Sequence, residues 1–157
     1  MNIRPRQKGD EAELRAFLER HDAVLNARRE EVVPALEHPA LLAESEGHVV
    51  GALTYVLRGD ACEVLTLHAD RRRSGVGTAL LAEVERLAAA AGCTRLWLIT
   101  TNDNIDALRF YQRRGFRLAA VHAGAVDESR RRLKPEIPEP GAYGIPLRDE
   151  LELTKEI

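Results

Sequence analysis

The sequence predicts a mixed α/β fold of the α+β type, with a mostly antiparallel sheet that includes one parallel strand pair. Three observations carry this. Leu41 to Glu44 and His48 to Leu57 read as strands joined by the tight turn Glu46-Gly47, which makes an antiparallel hairpin. The periodicity then changes, because Val76, Leu80, Leu81, Val84, Leu87 and Ala88 recur at helical spacing. The continuous apolar run Leu96-Trp97-Leu98-Ile99 follows, and strand–helix–strand in this order implies a parallel unit.

The other elements fall into place around these. Residues 1–7 can form an edge strand, where Pro5 is tolerated. Residues 10–21 place Ala12, Leu14, Phe17 and Leu18 on one helical face, with Asp10 as cap and Glu13 completing a capping-box pair. Residues 22–38 are charged up to Val32-Val33-Pro34 and read as a second short helix plus a loop. Gly59-Asp60 turns into a strand from Cys62 to His68. The helix from Gly75 to Ala91 ends at Gly92, as helices end at a C-terminal glycine. Asn104 to Arg114 is a second amphipathic helix ended by Gly115, and Phe116 to His122 is a strand. Residues 125–134 are helical and basic, residues 135–146 form a Pro/Gly-rich loop, and Leu147 to Thr154 is the last strand.

A chain of 157 residues suits one domain with its own core. Hydrophobic residues at 45% and charged residues at 31% exclude global disorder. A net charge of −2 argues against a dedicated nucleic-acid binder, which would be strongly basic. Of the 23 cations, 20 are Arg, spread over the chain but dense at Arg71-Arg72-Arg73. Cys62 and Cys93 form no close pair and the five His are scattered, so no zinc spacing is present and no metal is expected. Two buried free thiols fit a reducing compartment. With no apolar leader and no stretch of roughly 20 apolar residues, a cytoplasmic protein without a membrane partner is expected.

The most informative segment is Arg72-Arg73-Ser74-Gly75-Val76-Gly77-Thr78, between a strand and a helix. A helix start presents unpaired N–H groups and a favourable dipole to an anion, and glycine lets a phosphate approach the backbone. The spelling disfavours a P-loop, because no Lys follows Gly77, and a dinucleotide fingerprint, because Leu80 stands where its third small residue belongs. The Arg-x-x-Gly-x-Gly spelling of Arg72, Gly75 and Gly77 resembles the acyl-CoA pyrophosphate loop of the GNAT acyltransferase superfamily. Asn104-Ile105-Asp106-Ala107, Tyr111 and Gly115-Phe116 resemble its Asn-x-x-Ala…Tyr…Gly-Phe segment, in the expected order. Motif-level resemblance covers residues 62–118.

The resemblance implies a single GNAT domain over residues 1–157, with a central mixed sheet of six to seven strands and helices on both faces. It implies acetyl transfer from acetyl-CoA to a primary amine of a small-molecule or peptidic acceptor, by direct attack in a ternary complex. It places the cofactor on Leu65, Thr66, Leu67, Arg72, Arg73, Ser74, Gly75, Val76, Gly77, Thr78, Asn104 and Tyr111. Backbone pairing with pantetheine falls to Leu65-Thr66-Leu67. Asn104 caps its helix, contacts the cofactor, or does both.

Tyr111 matches the residue beside the leaving thiolate. A phenol near pKa 10 protonates a thiolate near 8.5 uphill by about 2 kcal/mol, so hydrogen-bond donation to developing charge suits it better than plain acid catalysis. An ammonium acceptor needs a base. Glu63 alternates with Leu65 and Leu67 on an apolar strand, where a carboxylate needs a polar cavity, and is the first candidate. Other family members carry a Glu on the strand before the Asn motif, but Trp97-Leu98-Ile99-Thr100-Thr101 has no carboxylate.

Residues 123–146 depart from the common plan as an insertion between the last two strands. They bring Glu136, Glu139 or Tyr143 to the acceptor, or mediate contacts of a homodimer as against a monomer. The alternative reading is a non-catalytic CoA-binding or interaction module of the same fold.

Overall fold

The structure is a computed structural model and describes residues 1–71 and 74–157. It has the expected mixed α/β architecture, with a seven-stranded, mostly antiparallel sheet containing one parallel pair. Two compact units are distinguished, one formed by residues 1–25, 34–96 and 157, the other by residues 26–33 and 97–156.

In the first unit β1 (Asn2–Pro5), β4 (Ala40–Ser45), β5 (His48–Arg58) and β6 (Ala61–Ala69) follow one another as antiparallel neighbours. The β4–β5 turn is Glu46-Gly47, both with positive φ, which matches the right-handed twist of a hairpin. Helix α1 (Glu11–Arg20) buries Leu14, Phe17 and Leu18 completely against Leu42 and Ala52. Helix α2 (Val76–Ala90) covers the opposite face: a Cβ on Gly51 would lie 2.4 Å from Val76 Cγ1 and 3.2 Å from Leu80 Cδ1. Neighbouring strand residues point to opposite faces, so Ala52 meets α1 where Gly51 meets α2.

Asp10 does not cap α1. It takes the Arg4 guanidinium through both oxygens, at 2.7 and 2.8 Å, and the Gln7 N–H at 2.6 Å. The expected capping partner Glu13 instead accepts the Val49 N–H at 2.6 Å. Arg4 engages both Asp10 oxygens in a charge-assisted bidentate pair, which holds the carboxylate away from the first turn of α1.

Residues 22–38 also differ from expectation. They form β2 (Leu25–Arg28) and β3 (Glu31–Pro34), which pair as a hairpin, followed by a short 3-10 turn. Arg29 and Glu30 turn it with φ of 51° and 67°. The β-branched pair Val32-Val33 favours strand over helix, and the buried Glu150 carboxylate accepts the Arg29 N–H at 3.1 Å.

The second unit orders β7 (Arg95–Thr101) from Trp97 onward, β9 (Glu150–Glu156) and β8 (Arg117–His122), with β8 and β9 antiparallel. It also carries α3 (Ile105–Arg113) and α4 (Ala125–Arg132). The basic α4 is no solvated cationic face throughout. Arg130 turns inward and donates to the carbonyls of Ile137, Pro138 and Leu147 at 2.8–2.9 Å, pinning the Pro/Gly-rich loop. Arg131 and Arg132 pair with Glu128 one turn away.

Candidate functional site

Strand β6 carries the first group of candidate residues, and its pairing register decides their directions. Thr54 pairs with Thr66, but Tyr55 pairs with Val64, so Leu65 is an extra residue in the β6 ladder. Such bulges re-aim side chains and recur beside active sites. Glu63 pairs with Val56 and therefore shares the face of Thr54 and Thr66, while Leu67 pairs with Leu53 on the opposite face. Leu65 packs against the core under α1. The expected common face of Glu63, Leu65 and Leu67 is thus corrected: the bulge breaks the alternation, and Leu67 leaves it.

On the Glu63 face the Thr54 and Thr66 hydroxyls hydrogen-bond at 2.7 Å inside the core. Glu63 itself is 4% exposed. The neighbouring Cys62 thiol is pushed up to about 12, chiefly by burial, with the nearby Cys93 and Glu63 adding to it. His68, farther along the same face, is pushed down to about 4 by burial and by His21, whose ring stacks on it at 5.0 Å. A neutral imidazole with so low a pKa is a weak base for an ammonium, so among these groups Glu63 is the better candidate.

The strand leads into the glycine turn. Gly75 stands at the N-cap of α2 with φ of 82°, a conformation that L side chains rarely adopt. It offers no side chain to cap the helix, and the first turn holds no acidic residue. Ala79 N–H bonds to the Gly75 carbonyl at 3.0 Å and opens the helical ladder. Ser74 donates to the Arg71 carbonyl at 2.8 Å, which shapes the turn before it. Ser74, Gly75 and Thr78 are exposed, Gly77 is half-buried, and Val76 is buried against β5. Among the described residues, no atom lies within 4 Å of where a Gly75 Cβ would stand. A helix start of this kind favours an anion. Arg72 and Arg73, assigned to the same cradle, lie outside the described residues.

The second unit carries Asn104 and Tyr111. Asn104 caps α3, its Oδ1 accepting the Ala107 N–H at 3.2 Å, so the capping role is real. Tyr111 is 8% exposed and packs edge-on against Phe110 and Phe116, at 5.1 and 5.3 Å between ring centroids. Burial pushes its phenol well above the usual value near 10. A weaker acid still donates a hydrogen bond, and this favours the donor role over plain proton transfer.

Two buried carboxylates here escape sequence reasoning. Asp103, 8% exposed, accepts the Thr101 hydroxyl at 2.5 Å and the Ala142 N–H at 2.8 Å. Glu150, 2% exposed, holds the β2–β3 turn, and burial raises its pKa. The only hint for Asp103 was the dense polar run Thr101-Asn102-Asp103-Asn104 before a helix. Among the described residues, no group of three or more His, Cys, Asp or Glu is arranged to hold a metal. No described helix is long and apolar enough to cross a membrane.

The model of the acetyltransferase (GNAT) family matches residues 6–116, which contain the bulged strand, the glycine turn and the Asn104–Tyr111 helix. The chain belongs to the GNAT family. Among similar proteins, YdhI of Bacillus subtilis (strain 168) is 49% identical over 111 residues, covering 71% of this chain and 69% of that protein. The fold is shared with the IAA acetyltransferase from Bacillus cereus ATCC 14579, at TM-score 0.75 and 20% identity over 99% of this chain and all of that one. It is also shared with a GNAT acetyltransferase from Elizabethkingia anophelis crystallised with acetyl-CoA, at TM-score 0.70 and 20% identity over 99% and 97% of the two chains. Residues 123–146 lie beyond the matched residues.

Proposed function

We propose that this GNAT protein is an acetyl-CoA-dependent N-acetyltransferase that acts on a primary amine of a small-molecule or peptidic acceptor, by direct attack in a ternary complex. The observation that carries the reading is the left-handed Gly75 turn at the start of α2, where Gly75 has no side chain to cap the helix and the first turn holds no acidic residue. In it the N–H groups of the first helical turn bind the pyrophosphate of acetyl-CoA. Ser74 to Thr78 form the cradle, with Arg72 and Arg73 as the cationic side. Leu65, Thr66 and Leu67 orient the pantetheine arm through their backbone, where the bulge interrupts regular pairing. When bound, the cofactor supplies an activated acetyl group as a thioester.

Glu63 takes a proton from the acceptor ammonium, directly or through water, because only the neutral amine attacks. The amine nitrogen bonds to the acetyl carbonyl carbon and the carbon–sulfur bond breaks; the charge that collects on sulfur accepts a hydrogen bond from the Tyr111 hydroxyl, and the proton that the nitrogen sheds on becoming an amide passes through solvent to the thiolate, which leaves as the thiol. Asn104 keeps the start of α3 in place for that donor.

The test is incubation with acetyl-CoA and a panel of primary amines, with free thiol as readout and calorimetry with CoA alongside. Thiol release that depends on one class of amine supports the reading. CoA binding without release for any amine favours the non-catalytic module, and no CoA binding at millimolar concentration removes both.

A further inference from the structure

The loop inserted before β9 is clamped to the start of α3 at several points. Asn102 donates to the Pro146 carbonyl at 2.8 Å and accepts the N–H groups of Arg148 and Asp149 at 3.0 and 2.9 Å. Asp103 holds the Ala142 N–H. Gly141 is required for this contact, because a Cβ there would lie 2.6 Å from Asp103 Oδ2 and 2.5 Å from the Ile145 carbonyl. The Tyr143 hydroxyl donates to Asp106 Oδ1 at 2.6 Å, in the first turn of α3.

Tyr143 is the informative residue. It is 68% exposed and sits at φ 59°, where a residue with a side chain is strained. Glycine would make the same turn without strain. What the tyrosine adds is the tie to Asp106. Asp103 likewise places a carboxylate in a buried position that is unfavourable unless filled with donors, and it receives two. Both ties converge on the turn in which Asn104 caps the helix of Tyr111.

We propose that Asp103 and Tyr143 are positioning residues for acetyl transfer, clamping the loop 137–147 onto the first turn of α3 and so fixing the helix that presents Tyr111. This rests on the acetyltransferase reading above. A displacement of a donor by about 1 Å is enough to cost up to a hundredfold in rate.

The experiment compares Tyr143→Phe, Asp103→Ala and Asp103→Asn with the wild type, all assayed well below their thermal midpoints. Tyr143→Phe removes one hydroxyl and keeps the ring. We expect kcat to fall about tenfold in Asp103→Ala and about threefold in Tyr143→Phe, with KM for acetyl-CoA within about twofold and partial rescue in Asp103→Asn. Values of kcat within twofold of wild type in both Asp103→Ala and Tyr143→Phe overturn the proposal, as does a loss carried wholly by KM. Amide exchange at Ala107 and Leu108 without any ligand separates the clamp from the activity. Exchange about tenfold faster in Asp103→Ala supports the clamp even if no amine is acetylated, and unchanged exchange in all three variants refutes it.

Discussion

Gly51→Ala is the sharpest test of how the fold positions the glycine turn. The added methyl would sit 2.4 Å from Val76 Cγ1, 3.2 Å from Leu80 Cδ1 and 3.3 Å from the His68 carbonyl. Carbon atoms in contact prefer about 3.5–4.0 Å, so the start of α2 must retreat by more than about 1 Å. Val76 cannot swing aside, because a β-branched side chain in a helix has one strongly preferred χ1 rotamer. Overpacking of this kind costs about 1–3 kcal/mol. For a chain of this size each kcal/mol lowers the thermal midpoint by about 2–4 °C, so a fall of about 2–12 °C is expected. Val76 directly follows Gly75, so the proposed anion cradle moves with it and affinity for CoA is expected to fall. Differential scanning calorimetry and titration with CoA read the two effects. A midpoint within 1 °C of wild type with unchanged affinity would refute both the close packing of α2 on β5 and its link to the cradle.

Further outcomes follow from the same geometry. Gly75→Glu puts a carboxylate and a strained φ into the proposed anion site, and CoA binding should be lost in calorimetry while circular dichroism keeps its helical signal. Tyr111→Phe should lower kcat about tenfold or more while KM for acetyl-CoA stays within about threefold, and an unchanged kcat removes Tyr111 from the chemistry. Glu150→Gln keeps an acceptor for the Arg29 N–H but carries no charge. Because burial raises the Glu150 pKa above its ordinary 4.5, the native state binds its proton more tightly than the unfolded state. Wild-type stability therefore falls as pH rises from about 4.5 through the raised value. The variant should gain in thermal midpoint over wild type across that interval and lose the gain below it. A difference that is constant with pH refutes the assignment.

Elements with strong local signals were legible before any tertiary information. Helices α2 and α3 were placed to within two residues by their apolar spacing and terminal glycines, and the β4–β5 hairpin by Glu46-Gly47. Residues 22–38 read in sequence as a short helix plus a loop because the charges of Arg28 to Glu31 mask a hairpin whose turn uses two non-glycine residues at positive φ. Asp10 looked like a cap because nothing nearby in sequence announced a bidentate claim on it by Arg4.

By itself the sequence determined the class of the fold, the order of its elements outside residues 22–38 and the glycine turn, because each depends on residues within a few positions of one another. Only the tertiary structure decided the rest. The bulge at Leu65 turns Glu63 and Leu67 to opposite faces, and pairing register is a property of two strands rather than one. Asp103 and Glu150 became buried anchors because a distant loop and a distant hairpin supply their donors. Arg130 ceased to be a surface cation for the same reason: three carbonyls of the loop close around it. A charge in a sequence has no fixed role until folding determines what surrounds it.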